Sequence, residues 1–161
     1  MESNVVPMTR PPIRQSIMVP SNREHTFEVF TGRLAEWWPL VPFSSNGERV
    51  QTVTLDPKDG GRVVEIWDDG TEIEWGELLE WSPPERFCMT WNITGTPTEV
   101  EIEFTEVAAG LTRVELEHRG WENLSEAELA ADCGVPGGYY GGAFNTGWSH
   151  ILNAFKEEMT K

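Results

Sequence analysis

Cysteine is nearly absent from this sequence, with Cys88 and Cys133 the only two in 161 residues. Two cysteines make no disulfide framework. Long apolar runs are missing too, and none approaches the roughly 18 residues of a membrane span. Positive charge is scarce: 12 Lys and Arg stand against 27 Asp and Glu, for a formal net charge of −15. Such a surface repels phosphate backbones and anionic lipid, so nucleic acid and membrane insertion are excluded as expected partners. His25, His118 and His150 are scattered, and neither they nor the cysteines show ligand spacing. No metal and no cofactor are therefore expected. Cys88 falls in a strand with nothing nearby to act as its base, so a nucleophile dyad has no support. Met1 to Pro12 carries no apolar h-region or basic run of signal-peptide type, and a cytoplasmic location is expected.

Aromatic residues, by contrast, are abundant, with eight Trp and seven Phe. Most of them fill a core, and some are candidates to line a ligand cavity. The last stretch, Gly142 to Lys161, organises the rest. Phe144, Trp148, Ile151, Leu152, Phe155 and Met159 fall on one helical stripe. His150, Asn153, Lys156, Glu157 and Glu158 fall on the other. Offsets of four, three, one, three and four define an amphipathic helix with a wide apolar face.

Most of the preceding chain reads as strands. Residues 1–12, with Pro7, Pro11 and Pro12, read as a flexible N-terminal arm, and 13–161 as one domain. Ile13 to Val19 is a first strand. Ser21 and Glu24 form a capping box that opens a helix toward Gly32, and Leu34 to Trp38 makes a second short helix before Pro39. Period-two strands follow at Arg49–Leu55, Arg62–Trp67, Glu72–Trp81, Arg86–Asn92, Thr98–Glu106 and Leu111–Arg119. Gly76 marks a bulge or bend. Ser125 and Glu128 form a second capping box, for a short helix ending near Gly134. The glycine-rich stretch 134–142 has no Gly-Lys-Ser/Thr ending and no cation within it, so it reads as a lid or a connector rather than a phosphate cradle. A helix lying on a curved antiparallel sheet leaves room for a cavity.

Two polar residues stand where such a cavity would lie. His118 is in phase with Val114 and Leu116, so its ring faces inward. It is either a polar anchor or proton carrier in the cavity, or a core histidine satisfied by its neighbours. Glu65 shares its phase with Val63 and Trp67, while Val64 and Ile66 occupy the other. Alternation alone does not choose between a buried carboxylate and a solvated one. Arg62 is a possible partner at the strand end, but falls on the opposite face. Ile73, Trp75 and Trp81 share one phase in their strand; Phe87, Met89 and Trp91 share one in the next.

The order of short motifs resembles a known family. These are Ser21-Asn22-Arg23-Glu24 through Phe30, Glu36-Trp37-Trp38-Pro39, Asp56-Pro57-Lys58-Asp59-Gly60-Gly61-Arg62 and Asp69-Gly70. They continue with Trp75-Gly76-Glu77, Trp81-Ser82-Pro83-Pro84-Glu85-Arg86-Phe87, Thr90-Trp91, Leu116-Glu117-His118-Arg119-Gly120-Trp121 and Gly147-Trp148. In this order and spacing they resemble the bacterial relatives of the activator of the heat-shock-protein-90 ATPase, within the START-like (SRPBCC) superfamily. The resemblance implies an α+β helix-grip fold, like that of the birch-pollen allergen. A curved antiparallel sheet of six to seven strands wraps around a long C-terminal helix, with two short helices after strand 1. It also implies an apolar cavity between sheet and helix, used across the superfamily for lipids, sterols, polyketides or plant hormones. It transfers no catalytic residue, and the heat-shock name is not carried over as an activity.

The expected function is therefore binding of a small hydrophobic ligand, lipid-like, polyketide-like or aromatic, by a monomer or homodimer. Strand phase and position assign the site to Glu65, Trp67, Trp75, Met89, Trp91, Ile102, Phe104, His118, Tyr140, Phe144 and Trp148. Binding without turnover is the first reading. The alternatives are a cyclase or aromatase using His118 and Glu65, and a chaperone-linked or regulatory protein whose acidic row Glu99, Glu101 and Glu103 meets a partner.

Overall fold

The computed structural model describes residues 10–41, 43–44, 47–92, 94, 96–128 and 143–161. Strand β1 (Ile13–Val19) leads into helices α1 (Arg23–Gly32) and α2 (Leu34–Trp37). Then come β2 (Val50–Leu55), β3 (Arg62–Trp67), β4 (Glu72–Ser82), β5 (Arg86–Trp91), β6 (Thr98–Ala108) and β7 (Leu111–Arg119). The last helix is α3 (Ala143–Met159). The seven strands form one antiparallel sheet in the order β1-β7-β6-β5-β4-β3-β2. It is a meander whose last strand takes β1 as its outer neighbour. The curled sheet and its C-terminal helix make the expected helix-grip fold.

Alternation builds the inner face. On β6, Val100, Ile102 and Phe104 pair with His118, Leu116 and Val114 on β7, and all six are buried. The row of β6 glutamates points to the other side. On α3, Trp148, Ile151, Leu152 and Phe155 are buried, while His150, Asn153, Lys156 and Glu157 are exposed. The helix start is also tied to β1. Gln15 donates to the Asn145 carbonyl and side-chain oxygens, each at 2.6 Å, and accepts from Ser149 Oγ at 3.0 Å. Two aromatic groups fill the space between. Phe27, Phe30, Trp37, Phe87, Phe104 and Phe155 pack together beneath α1 and α2. Trp38, Trp75, Trp91 and Trp148 form a second group beneath the first turns of α3.

Two local readings need correction. The cap of α1 is Asn22, whose side chain accepts from His25 N at 2.7 Å, rather than Ser21. Both residues are good caps, and the extended backbone of Asn22 decides between them. In β4, strict alternation from Trp75 would bring Leu79 inward. Instead Leu78 is buried and Leu79 is 49% exposed, because the register slips between Val63 and Val64 on one side and between Leu78 and Glu80 on the other. Each slip inserts a residue and turns the next side chain over. The inward residues Trp75, Leu78 and Trp81 are consequently three apart. Trp81 packs on Phe27 and Phe87.

The second capping box forms as expected. Ser125 N–H donates to Glu128 Oε1 at 2.8 Å, and Glu128 N–H donates to Ser125 Oγ at 3.1 Å. The remainder of that helix, the glycine-rich stretch 134–142, Cys133 and residues 1–9 of the arm lie outside the described residues. Arg10 donates to the carbonyls of Trp121 and Leu124. Among the described residues, no helix is long and apolar enough to cross a membrane.

At Gly76, β4 lies close against β5, and a Cβ there would lie 1.8 Å from Thr90 O. Gly76→Ala is expected to lower unfolding free energy by about 3 kcal/mol or more, since the obstacle is backbone. Trp148→Ala, which empties a central position, is expected to cost about 3–5 kcal/mol. Urea denaturation of the two variants checks both values.

Candidate functional site

The inner face is completed by a small apolar cavity. Its wall comes from Phe30 on α1, Leu34 on α2 and Trp38 just after it, and Leu55, Val63, Trp75, Phe87, Met89, Trp91, Val100 and Ile102 on β2 to β6. Trp148 closes it from the helix side. Its volume is about 30 Å³. Ligand pockets usually span roughly 300–1,000 Å³. The cavity is smaller than that range, because in this conformation the protein's own indoles occupy most of the space.

Behind two of those indoles sit Glu65 and His118, both fully buried. Trp75 Nε1 donates to Glu65 Oε1 at 2.9 Å, and Trp67 Nε1 donates to Glu65 Oε2 at 2.5 Å. Glu65 is fully buried and is the only buried carboxylate among the described residues. The inward phase of β3 is therefore that of Val63 and Glu65. Arg62 faces away and pairs with Glu74 at 2.7 Å. Trp67 is half-buried, with the Arg49 guanidinium 5.7 Å over its ring.

Across the cavity, Trp148 Nε1 donates to His118 Nδ1 at 3.0 Å. A neutral imidazole accepting at Nδ1 carries its proton on Nε2, so Nε2–H donates to Thr98 Oγ1 at 2.7 Å. The Thr98 hydroxyl lies 3.3 Å from Thr94 Oγ1, which donates to the Thr96 carbonyl at 2.7 Å. Both imidazole nitrogens are thus bonded. Burial pushes the ring's pKa down to about 3.

The residues expected in the site divide. Trp75, Met89, Trp91, Ile102 and Trp148 line the cavity. Glu65 and Trp67 adjoin it through Trp75, and His118 through Trp148. Phe144 is half-buried and packs on His118 and Trp121, with centroids 5.6 and 5.0 Å away. Phe104 belongs to the aromatic group beneath α1. Tyr140 lies outside the described residues. The sequence reading missed Trp38, which bridges Trp75 and Trp148. It also missed Thr98, although Thr98 is in phase with Val100 and so was open to the same alternation argument.

On the outer face, Arg119 contacts Glu99 at 3.2 Å, Glu101 at 2.7 Å and Glu117 at 3.2 Å. Its Nη2 also donates to Cys88 Sγ at 3.3 Å. Burial raises the Cys88 thiol to about 11, which leaves it protonated and unreactive at neutral pH.

A curled sheet gripping a C-terminal helix over an apolar centre is the START-like architecture. The chain belongs to the family of activator of Hsp90 ATPase homolog 1-like proteins, whose model matches residues 20–160. Among solved structures it is 42% identical to the anthrahydroquino-gamma-pyrone synthase Txn09 complexed with SUM. That likeness covers 68% of this chain and 77% of that one, with a TM-score of 0.51. The self-sacrificing resistance protein CalC from Micromonospora echinospora shares the fold at 24% identity, over 92% and 94% of the two chains, with a TM-score of 0.63. So does the AHSA1-like protein from Aeromonas hydrophila, at 18% identity over 89% and 90%, with a TM-score of 0.56. A search of curated protein sequences gives no significant match.

The buried imidazole sets a pH dependence. Its folded-state pKa of about 3 lies below the ordinary value of 6.5, so only the unfolded chain takes up this proton between those limits. Stability is therefore full above pH 6.5 and falls as pH drops, by up to about 1.4 kcal/mol per pH unit. Between pH 6.5 and 5, before most carboxylates titrate, the loss should approach about 2 kcal/mol. Urea unfolding across that range should show the slope in the native sequence and a flat profile in His118→Gln.

Proposed function

We propose that this protein binds a planar aromatic molecule of polyketide type between its sheet and α3, and closes an oxygen-containing ring on it. The observation that carries the reading is the 42% identity to a named anthrahydroquino-gamma-pyrone synthase. The site's chemistry supports it. Four indoles, Trp38, Trp75, Trp91 and Trp148, offer flat apolar faces for a fused-ring ligand. Polar groups are few, as a hydrophobic substrate requires.

Closing such a ring makes one C–O bond. A phenol or enol oxygen adds to a ketone carbon, the oxygen gives up its proton, and the ketone oxygen gains one. Loss of water then restores conjugation. Glu65 is the residue we assign as proton acceptor, since it is the buried carboxylate behind the cavity wall. His118 is assigned a structural role, because both its nitrogens are bonded and its low pKa keeps it neutral. Admitting a fused-ring ligand requires the wall to repack. Met89, an unbranched thioether, is the member best suited to swing aside.

Binding without catalysis is the second reading. It is favoured by the two indole N–H donors that already engage both oxygens of Glu65. The outer-face reading has less support, because Glu99 and Glu101 are already engaged by Arg119.

The test uses an anthrahydroquinone bearing a phenolic hydroxyl beside a 1,3-diketone chain. Liquid chromatography with mass detection should show a product lighter by one water, formed faster than in buffer. Glu65→Gln should slow this at least about 100-fold, with binding of the product changed only slightly. Binding with no acceleration would favour the second reading. Absence of both would sink the proposal.

A further inference from the structure

Trp91 is the fourth indole of the cavity wall, and its polar end is unlike the others. Trp38 Nε1 donates to the Phe43 carbonyl at 2.7 Å, Trp75 Nε1 to Glu65, and Trp148 Nε1 to His118. Trp91 Nε1 is buried and has no acceptor among the described residues. The residue is only 6% exposed, and its ring sits 5.2 Å from Trp148, 6.0 Å from Trp75 and 5.9 Å from His118. Among the described residues, the other two buried donors that make no hydrogen bond, Arg23 Nε and Arg113 Nε, belong to guanidinium groups that keep further N–H donors, and Arg113 Nε lies 3.2 Å from Glu115 in an ion pair. Trp91 has only the one.

An unpaired buried donor costs about 1–3 kcal/mol, and native structures contain few of them. Water is a poor remedy here. The cavity has room for one, but a buried water is held by two to four polar partners. The neighbouring indole donors are committed elsewhere, so a water at Trp91 would have one partner in an otherwise apolar wall.

We propose that the Trp91 indole N–H is the recognition point for a carbonyl oxygen of the bound aromatic ligand. This rests on the ligand class proposed above and deepens it: the preferred molecule is a planar ring system carrying a ketone, quinone or pyrone carbonyl. A neutral acceptor suits the site better than an anion, because the wall around Trp91 is apolar and burying an unpaired charge is costly. Trp91 thereby becomes a specificity-determining residue. The ligand's carbonyl completes the hydrogen bond that the empty protein leaves open, and an otherwise identical hydrocarbon leaves it unmade.

Titration calorimetry with two probes tests this. One is a dihydroxyanthraquinone, and the other is the matching dihydroxyanthracene, which lacks the carbonyls. The native protein should prefer the anthraquinone by roughly tenfold, the net worth of one well-made hydrogen bond. Trp91→Phe keeps an aromatic ring and should abolish that preference, bringing the affinities for the two probes together. Its melting temperature should hold or rise, since it removes an unpaired donor. Trp37→Phe is the control: its indole lies outside the cavity wall and donates to the Phe30 carbonyl, so the variant should lower the melting temperature and leave the preference intact. If Trp91→Phe retains the preference, the assignment of Trp91 is overturned while the ligand class stands. If neither probe binds the native protein, the ligand class itself falls, and this inference with it. Should Trp91→Phe fail to fold, indole N–H resonances of the native protein provide the same decision. One should move downfield with the anthraquinone and not with the anthracene, and absence of any such movement overturns the proposal.

Discussion

When α3 lies on the sheet, the indole N–H of Trp148 loses water and must find an acceptor, because an unpaired donor at that depth costs about 1–3 kcal/mol. His118 Nδ1 supplies it from the opposite layer. This one bond fixes much else. It sets the imidazole tautomer and commits Nε2–H to Thr98. Together with the Gln15 bonds at the helix start, it holds α3 in the orientation in which Ile151, Leu152 and Phe155 are buried.

The same rule shapes the rest of the centre. A large indole load brings a large number of N–H groups, and among the described residues every buried one but that of Trp91 has an acceptor inside the fold. Backbone carbonyls serve Trp37, Trp38 and Trp121, at 3.2, 2.7 and 2.8 Å. A carboxylate serves Trp67 and Trp75. Glu65 is thus buried among apolar neighbours without being an anomaly, since two donors converge on it. The chemistry available to a ligand is what remains after these internal demands are met. A core so full of its own rings leaves little empty space, which is why the cavity is only about 30 Å³.

Much of the fold was legible in the sequence. Strands β1, β3 and β7 have the boundaries that alternation gives them, because Pro20, Asp68-Asp69-Gly70 and Ala109-Gly110 interrupt the period sharply. The α3 stripe was equally clear. The β4 interior was not, since two register slips turn a period of two into a spacing of three, and such slips arise from pairing with neighbouring strands. The cap of α1 was off by one because Ser21 and Asn22 have equal capping chemistry. The phase of Glu65 was undecidable locally: Val63, Val64 and Ile66 put apolar residues on both faces, and the deciding partner, Trp75, lies ten positions away. Nor does alternation report volume. It identified the wall of a cavity, but the degree of filling depends on how side chains from five strands and three helices interdigitate.

The indole group has an optical consequence. Trp38, Trp75, Trp91 and Trp148 are linked by centroid separations of 5.0 to 6.4 Å. At such spacing, light absorbed by one ring migrates among all four before it is emitted. Their fluorescence therefore behaves as the signal of a single antenna buried at the contact of helix and sheet. A coloured polycycle entering between them would darken the whole antenna at once, so these four rings would themselves report anything that came to lie among them.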